Sequence, residues 1–200
     1  MAEEQTHEII RKLTTGLERI SEAFKVMLWE KAKEHGLSPI QIQILIFISD
    51  HKSELCNVSH LAKEFNITKP TISDAIRVLD KKGLIVKDFS PTDSRSYTIF
   101  PSSEGKKMIR QLGDFSNPLK GALQSLDHNN LENLYTNLTT LIYQLNRSGL
   151  LNVQRTCFGC SFYENRKGAH YCNFLESTLQ NYDLRMDCSD YIQKNGRLRI

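Results

Sequence analysis

Apolar side chains recur every three or four positions through the first part of the chain, which is the spacing of an amphipathic α-helix. The pattern predicts one helix from Glu3 to about His35, which is longer than the core of a small domain requires. Gly36-Leu37-Ser38-Pro39 then supplies a helix stop, an N-cap and a first-turn proline, so a second helix is predicted through Ser49. The apolar positions of the first helix are Ile9, Ile10, Leu13, Leu17, Ile20, Phe24, Met27 and Leu28.

Two shorter helical patterns joined by a tight turn follow in the middle of the chain. Asn57 is placed to cap the first of them, and Asn66-Ile67 forms the turn. Thr68 is a good N-cap for the next helix, which runs to about Lys82 and stops at Gly83. This order of elements predicts a helix-turn-helix.

The second of these helices has one apolar and one polar face. Ile72, Ile76 and Leu79 are spaced by four and three residues and form the predicted buried face. The polar residues that remain outside can contact phosphates or base edges, and they are Lys69, Thr71, Ser73, Asp74 and Arg77. Two alternatives stay open. Lys69 could be a solvated surface residue with no DNA contact. Arg77 could serve only to form an ion pair with Asp74 or Asp80.

A hairpin is predicted after the helix-turn-helix. An extended segment begins near Leu84, and Tyr97 to Phe100 alternate polar and apolar residues like a returning strand. The residues between them, Ser90 to Ser96, are dense in turn formers and place Arg95 at an exposed tip.

The last helical patterns follow the hairpin. Ser102 or Ser103 caps a helix through about Phe115, and Asn117-Pro118 predicts a loop. A long helix then begins at Asp127 and ends at Ser148-Gly149.

Composition and charge add modest constraints. The chain has 200 residues with 40% hydrophobic and 24% charged side chains, which is typical of a globular domain with one added module. The net charge is +3, yet the stretch from Asn57 to Arg110 holds ten Lys and Arg against six Asp and Glu. That local excess is compatible with nucleic acid. The acidic start and the short apolar run from Ile40 to Ile48 predict a cytoplasmic protein with no membrane partner.

Four cysteines are concentrated in the last fifty residues. They are separated by two, eleven and fifteen residues and are Cys157, Cys160, Cys172 and Cys188. In a reducing compartment such a set indicates a zinc ion or a [4Fe-4S] cluster, although zinc sites more often show two close pairs. Metal-free buried or redox-pairing thiols remain an alternative, and His170 is a further possible ligand. Cys56 stands apart, as core filler or as an oxidation sensor.

Several weak motifs occur in the order found in one family. The chain from about Glu3 to Gly149 resembles the MarR family of winged helix-turn-helix regulators. The motifs that carry the resemblance are Leu37-Ser38-Pro39-Ile40-Gln41, Leu61-Ala62, Leu79-Asp80-Lys81-Lys82-Gly83-Leu84-Ile85, Asp93-Ser94-Arg95 and Ser102-Ser103-Glu104-Gly105-Lys106.

The resemblance implies a mainly α fold with a small β-hairpin wing, which forms a homodimer on a palindromic operator in double-stranded DNA. It also implies a small-molecule effector of unknown identity. The implied domains are an N-terminal dimerisation helix at 1–36, a winged helix-turn-helix at 37–110, C-terminal dimerisation helices at 111–150 and an added cysteine module at 151–200.

The resemblance also assigns roles to residues. It implies that the second helix of the motif enters the major groove, so Lys69, Thr71, Ser73, Asp74 and Arg77 would contact DNA. Arg95 would enter the minor groove, with Asp93 holding it in position. These roles describe a transcriptional regulator controlled by a ligand or by the cysteine module, and not an enzyme. The alternative is an iron-sulfur or thiol redox protein that uses the winged domain for protein contact.

Overall fold

A computed structural model describes residues 2–89 and 96–194. The predicted wing-tip residues Asp93 and Arg95 lie outside these ranges. The described chain is mostly helical with a small antiparallel hairpin, which confirms the predicted fold class. The helices are α1 Ala2–His35, α2 Pro39–Asp50, α3 Val58–Glu64, α4 Lys69–Lys81, α5 Ser103–Leu112, α6 Asn117–Leu123 and α7 His128–Arg147. The strands are β1 Ile85–Phe89, β2 Tyr97–Pro101, β3 Tyr163–Arg166, β4 Ala169–Cys172 and β5 Ser177–Leu179.

The chain divides into two compact units. The first comprises Met1–Asn57 and Pro70–Ala122, and the second comprises Val58–Lys69 and Leu123–Ile200. No helix within the described ranges combines the length and hydropathy needed to cross a bilayer.

Helix α2 lies at the centre of the first unit. It contacts α1, α5 and β2, and its apolar residues occur around most of its circumference, as expected for a buried helix. Ser38 begins it with a capping box, in which the Ser38 hydroxyl accepts from the Gln41 amide and the Gln41 side chain accepts from the Ser38 amide. The predicted helix start is therefore confirmed.

The hairpin follows α4 in the chain and contacts α2 and α5 through its second strand. Strands β1 and β2 pair antiparallel, in a register that runs from Ile85 opposite Pro101 to Phe89 opposite Tyr97. The Ser102 hydroxyl donates to the carbonyl oxygen of Gly83 at 2.6 Å, and it caps α5 by accepting from the Gly105 amide at 2.9 Å.

The second unit contains α7 and a small three-stranded sheet. Strand β4 pairs antiparallel with both β3 and β5. Cys172 is the last residue of β4, Cys157 begins a short 3-10 helix, and Cys160 and Cys188 lie outside the three strands. Cys157, Leu179 and Leu184 form a buried cluster in this unit. The Tyr135 hydroxyl on α7 donates to the carbonyl of Leu184, so the sheet module is anchored on that helix.

Two predicted boundaries were wrong. The loop predicted at Asn117-Pro118 is the start of α6. Proline fits the first turn of a helix, where its missing amide hydrogen is not needed, so Pro118 begins a helix rather than preventing one. Helix α5 ends at Leu112, three residues before the predicted end at Phe115.

Replacement of Gly105 by alanine should destabilise the first unit. A Cβ atom at Gly105 would lie 1.9 Å from the carbonyl oxygen of Leu84, so the backbone must shift. We expect a loss of about 2 kcal/mol in the free energy of unfolding, measured by urea denaturation. Gly121→Ala is the matched control, because a Cβ there meets nothing within 4 Å and alanine favours the helix. Equal stability of the two variants would contradict the close approach of Gly105 to the Leu84 carbonyl oxygen.

Candidate nucleic-acid interface and thiol cluster

Helix α4 separates its apolar and polar residues as predicted. Ile72, Ile76 and Leu79 are fully buried, and Ala75 joins them. Ser73 is half-buried. The residues left exposed on α4 include four of the five predicted DNA contacts, which are Lys69, Thr71, Asp74 and Arg77. The helix therefore offers a polar face of cations and hydrogen-bonding groups.

Asp74 and Arg77 are paired on this face. The Arg77 guanidinium donates to the Asp74 carboxylate at 2.6 Å, with the two side chains 74% and 67% exposed. So exposed a pair adds little stability. Its effect is to orient the guanidinium, which accounts for a carboxylate on a face that would otherwise repel phosphates.

Lys87 ties the hairpin to α4. Its ammonium group lies 2.6 Å from the Asp80 carboxylate and 5.3 Å from the centre of the Tyr97 ring. Because Lys87 is on β1, Tyr97 on β2 and Asp80 near the end of α4, these contacts fix both wing strands against the helix. In the sequence, Arg95 lies between these two strands.

The four clustered cysteines line one cavity of about 30 Å³. All four are free thiols. The Arg185 amide donates to Cys157 Sγ at 3.2 Å, and the Arg185 guanidinium donates to Cys188 Sγ at 3.7 Å. Donors of this kind are typical around thiolate ligands. As placed, however, no group of three or more Cys, His, Asp or Glu side chains in the described residues could hold a metal ion.

His170, the further possible ligand, lies outside the cavity, and the aromatic side chains of the module are divided between the cavity and other contacts. The His170 ring nitrogen Nδ1 lies 2.7 Å from the Tyr163 hydroxyl, and His170 is not among the residues that line the cavity. Tyr163 and Phe162 do line it, whereas the Tyr171 ring stacks on Arg166 at 3.4 Å.

Burial changes the acidity of two cysteines. It raises the pKa of Cys157, and the neighbouring thiols of Cys188, Cys160 and Cys172 raise it further. Burial and the charge of Glu54 raise the pKa of Cys56 to about 11. Cys56 is therefore a protonated thiol at neutral pH, which agrees with a core role better than with a sensor.

An ion cluster that sequence reasoning missed lies next to the thiols. Arg155 binds Glu64, the last residue of α3, and Asp187, which precedes Cys188. Burial lowers the pKa of Arg155, but the carboxylates of Asp187 and Glu64 outweigh this and hold it above its usual range. Because 91 positions separate Arg155 from Glu64, no local pattern could have revealed the pair.

Comparison with known proteins finds matches to one family over part of the chain. Residues 35–96 match the model of the MarR family. The transcriptional repressor YetL of Bacillus subtilis is 32% identical over 83 residues, which is 40% of this chain and 50% of the repressor. The chain therefore spans about half the length of the curated relative that it matches.

Solved structures share the fold. MepR of Staphylococcus aureus in complex with DNA is 23% identical with a TM-score of 0.58, and the match covers 66% of this chain and 97% of MepR. A MarR regulator from Methanosarcina mazei is 19% identical with a TM-score of 0.56, over 69% and 96% of the two chains. At these identities the likeness establishes the fold alone. Residues 35–96 of this chain are therefore similar to the MarR family, and the solved structures show that the winged helix-turn-helix fold is shared.

Proposed function

We propose that the chain is a transcriptional regulator that binds double-stranded DNA as a homodimer. The observation that carries this proposal is the exposed polar face of α4, held next to a two-stranded wing. Lys69 and Arg77 supply cations, while Thr71 and Ser73 supply hydroxyl groups for base edges or phosphates. The MarR family match favours this function over the alternative of a redox protein, and we propose no enzymatic activity.

The wing completes the proposed DNA contact. Arg95 lies in the segment that joins β1 to β2, and an arginine there would enter the minor groove, where the narrow groove concentrates negative potential. We assign Asp93 to holding that arginine. Both assignments rest on the sequence motif and on the anchoring of the two strands by Lys87.

The second copy of the chain would cover α1. This helix is about 50 Å long, and it leaves a continuous apolar stripe exposed. Leu13 is 61% exposed and Ile20 is 53% exposed, which would be costly in an isolated chain. The full stripe is Ile9, Ile10, Leu13, Leu17, Ile20 and Phe24. A homodimer that buries it would place two winged units on the two halves of a palindrome.

We further propose that the four clustered cysteines bind one zinc ion. Their convergence on one cavity supports a shared ligand, and four cysteine thiolates are a common tetrahedral ligand set for zinc. Binding would require the four thiols to lose their protons and to move, because as placed they do not form a metal site. An effector other than this ion would be a small molecule of unknown class.

Arg95→Ala should weaken specific DNA binding. We expect about a tenfold loss of affinity, and a salt dependence reduced by about one counterion, because a cation next to the phosphates is lost. The measurement is a fluorescence-anisotropy titration at several salt concentrations, with a duplex from upstream of the protein's own coding sequence. Arg11→Ala, which removes an exposed arginine from α1, is the control. Unchanged affinity and salt slope in Arg95→Ala would remove Arg95 from the interface.

Leu13→Glu should prevent dimerisation. Burying an unpaired carboxylate costs about 3 kcal/mol or more, which raises the dimer dissociation constant by about a hundredfold. Analytical ultracentrifugation measures this directly. Thr15→Glu adds the same charge to the opposite face of α1 and should remain dimeric. A Leu13→Glu protein that is as dimeric as the wild type would place the dimer interface elsewhere.

The metal proposal predicts one zinc ion per chain after purification without oxygen. Cys157→Ser should lower zinc content to near zero, while Cys56→Ser, outside the cluster, should leave it unchanged. Elemental analysis and the visible spectrum are the measurements. A brown protein that contains iron would show that the site holds an iron-sulfur cluster and not zinc. A colourless protein with no metal would contradict the proposed metal site.

A further inference from the structure

The Arg155 cluster joins the cysteine module to helix α3 by a strong and partly buried interaction. The guanidinium donates to both oxygens of the Glu64 carboxylate, at 2.8 and 3.0 Å, and its other edge donates to Asp187. The Arg155 side chain is only 10% exposed and that of Glu64 is 19% exposed. Bidentate arginine-carboxylate pairs are geometrically specific, and removing one partner of a buried pair leaves the other charge uncompensated.

Backbone hydrogen bonds link two arginines, Arg155 and Arg185, to the last and the first cysteine of the cluster. The Cys188 amide donates to the carbonyl of Arg155 at 3.1 Å, and the Cys157 amide donates to the carbonyl of Arg185 at 3.0 Å. Arg155 and Asp187 also face each other in an isolated parallel bridge. Because Arg155 lies two positions before Cys157 and is bonded to Cys188, a movement of either cysteine would act on the arginine that holds Glu64.

A second contact reaches the turn that follows α3. The Asn152 side chain donates to the side chain of Asn66, which adopts a left-handed conformation with φ of 54°. The next helix begins at Lys69, and it is the one that carries the proposed DNA contacts. The segment from Asn152 to Arg155 thus contacts both the end of α3 and the turn that leads into α4.

We propose that the Arg155–Glu64 pair transmits metal occupancy of the cysteine cluster to the turn of the helix-turn-helix, so that zinc binding tightens DNA binding. This inference rests on the proposed function and on the proposed zinc site. Zinc held by Cys157 and Cys188 would restrain Arg155 and Asp187 in the paired arrangement that the structure shows. If the turn is already ordered, the protein loses less conformational entropy when it binds DNA. Its affinity for DNA is therefore higher.

The test compares the full chain after zinc loading and after zinc removal by a chelator. Three proteins are titrated with the upstream duplex: the wild type, Glu64→Gln, and Glu164→Gln as control. Glutamine preserves the size of the side chain but offers a single acceptor oxygen, so the bidentate pair is lost. Glu164→Gln removes an exposed pair with Arg166, in the same module.

We expect zinc to raise the DNA affinity of the wild type and of Glu164→Gln about fivefold or more, and that of Glu64→Gln less than twofold. An equal effect of zinc in Glu64→Gln and the wild type would overturn the inference. So would a wild type that binds both zinc and DNA but shows no coupling between them. Failure to bind the duplex in either form contradicts the proposed function, and failure to bind zinc contradicts the metal site.

Hydrogen exchange provides a readout that needs no DNA. Zinc should slow amide exchange in residues 58–69 of the wild type and of Glu164→Gln, because the paired arginine holds this segment. Glu64→Gln should show no such slowing, while its far-ultraviolet circular dichroism remains that of the wild type. Equal protection in all three proteins, or none in the wild type, would also overturn the inference.

Discussion

The burial of one side of α4 determines which side chains this helix can offer to the proposed DNA contact. Ile72, Ile76 and Leu79 are completely removed from solvent, and each contributes about 1.5–3 kcal/mol relative to an exposed position. Rotating the helix by even a quarter turn would expose some of them and bury charged groups. The polar face from Lys69 to Arg77 is therefore fixed by the core behind it, and the wing is fixed beside it by Lys87.

The second unit depends on a different kind of interaction. The core of its cysteine module is small, since Cys157, Leu179 and Leu184 form one buried cluster there, so burial alone gives the module limited stability. A partly buried ion cluster around Arg155 adds geometric specificity rather than much free energy, because desolvation offsets most of the attraction. The proposed zinc ion would add stability, as metals do in other small modules. Under the same proposal, the contacts that attach this module to α3 link its metal state to the turn that leads into α4.

Much of the winged region could be predicted from the sequence because its signals are local. The spacing of Ile72, Ile76 and Leu79 determined the buried face of α4, and Ser38 with Pro39 determined the start of α2. Helix α6 was missed because Asn117-Pro118 is equally compatible with a turn and with a helix start. The strands of the module were missed because they are short and mostly exposed, so they lack alternation of apolar residues.

The candidate site was predictable to different degrees for the same reason. Polar residues on one helix face follow from periodicity, and the four cysteines from their spacing. The pairing of Arg155 with Glu64 depends on tertiary structure, and nothing near either residue in the chain indicates it. Whether Asp74 orients Arg77 could likewise be decided only once both side chains were placed. Long-range electrostatic contacts are thus the part of this protein that its sequence conceals.

The most direct measurement of DNA-binding regulation is the binding of the full chain to the duplex upstream of its own coding sequence, compared with a scrambled duplex of equal composition. We expect tighter binding to the upstream duplex by roughly a thousandfold at physiological salt, with a footprint of two half-sites about one helical turn apart. Equal affinity for both duplexes, or no footprint, would contradict the proposal that this chain is a DNA-binding regulator.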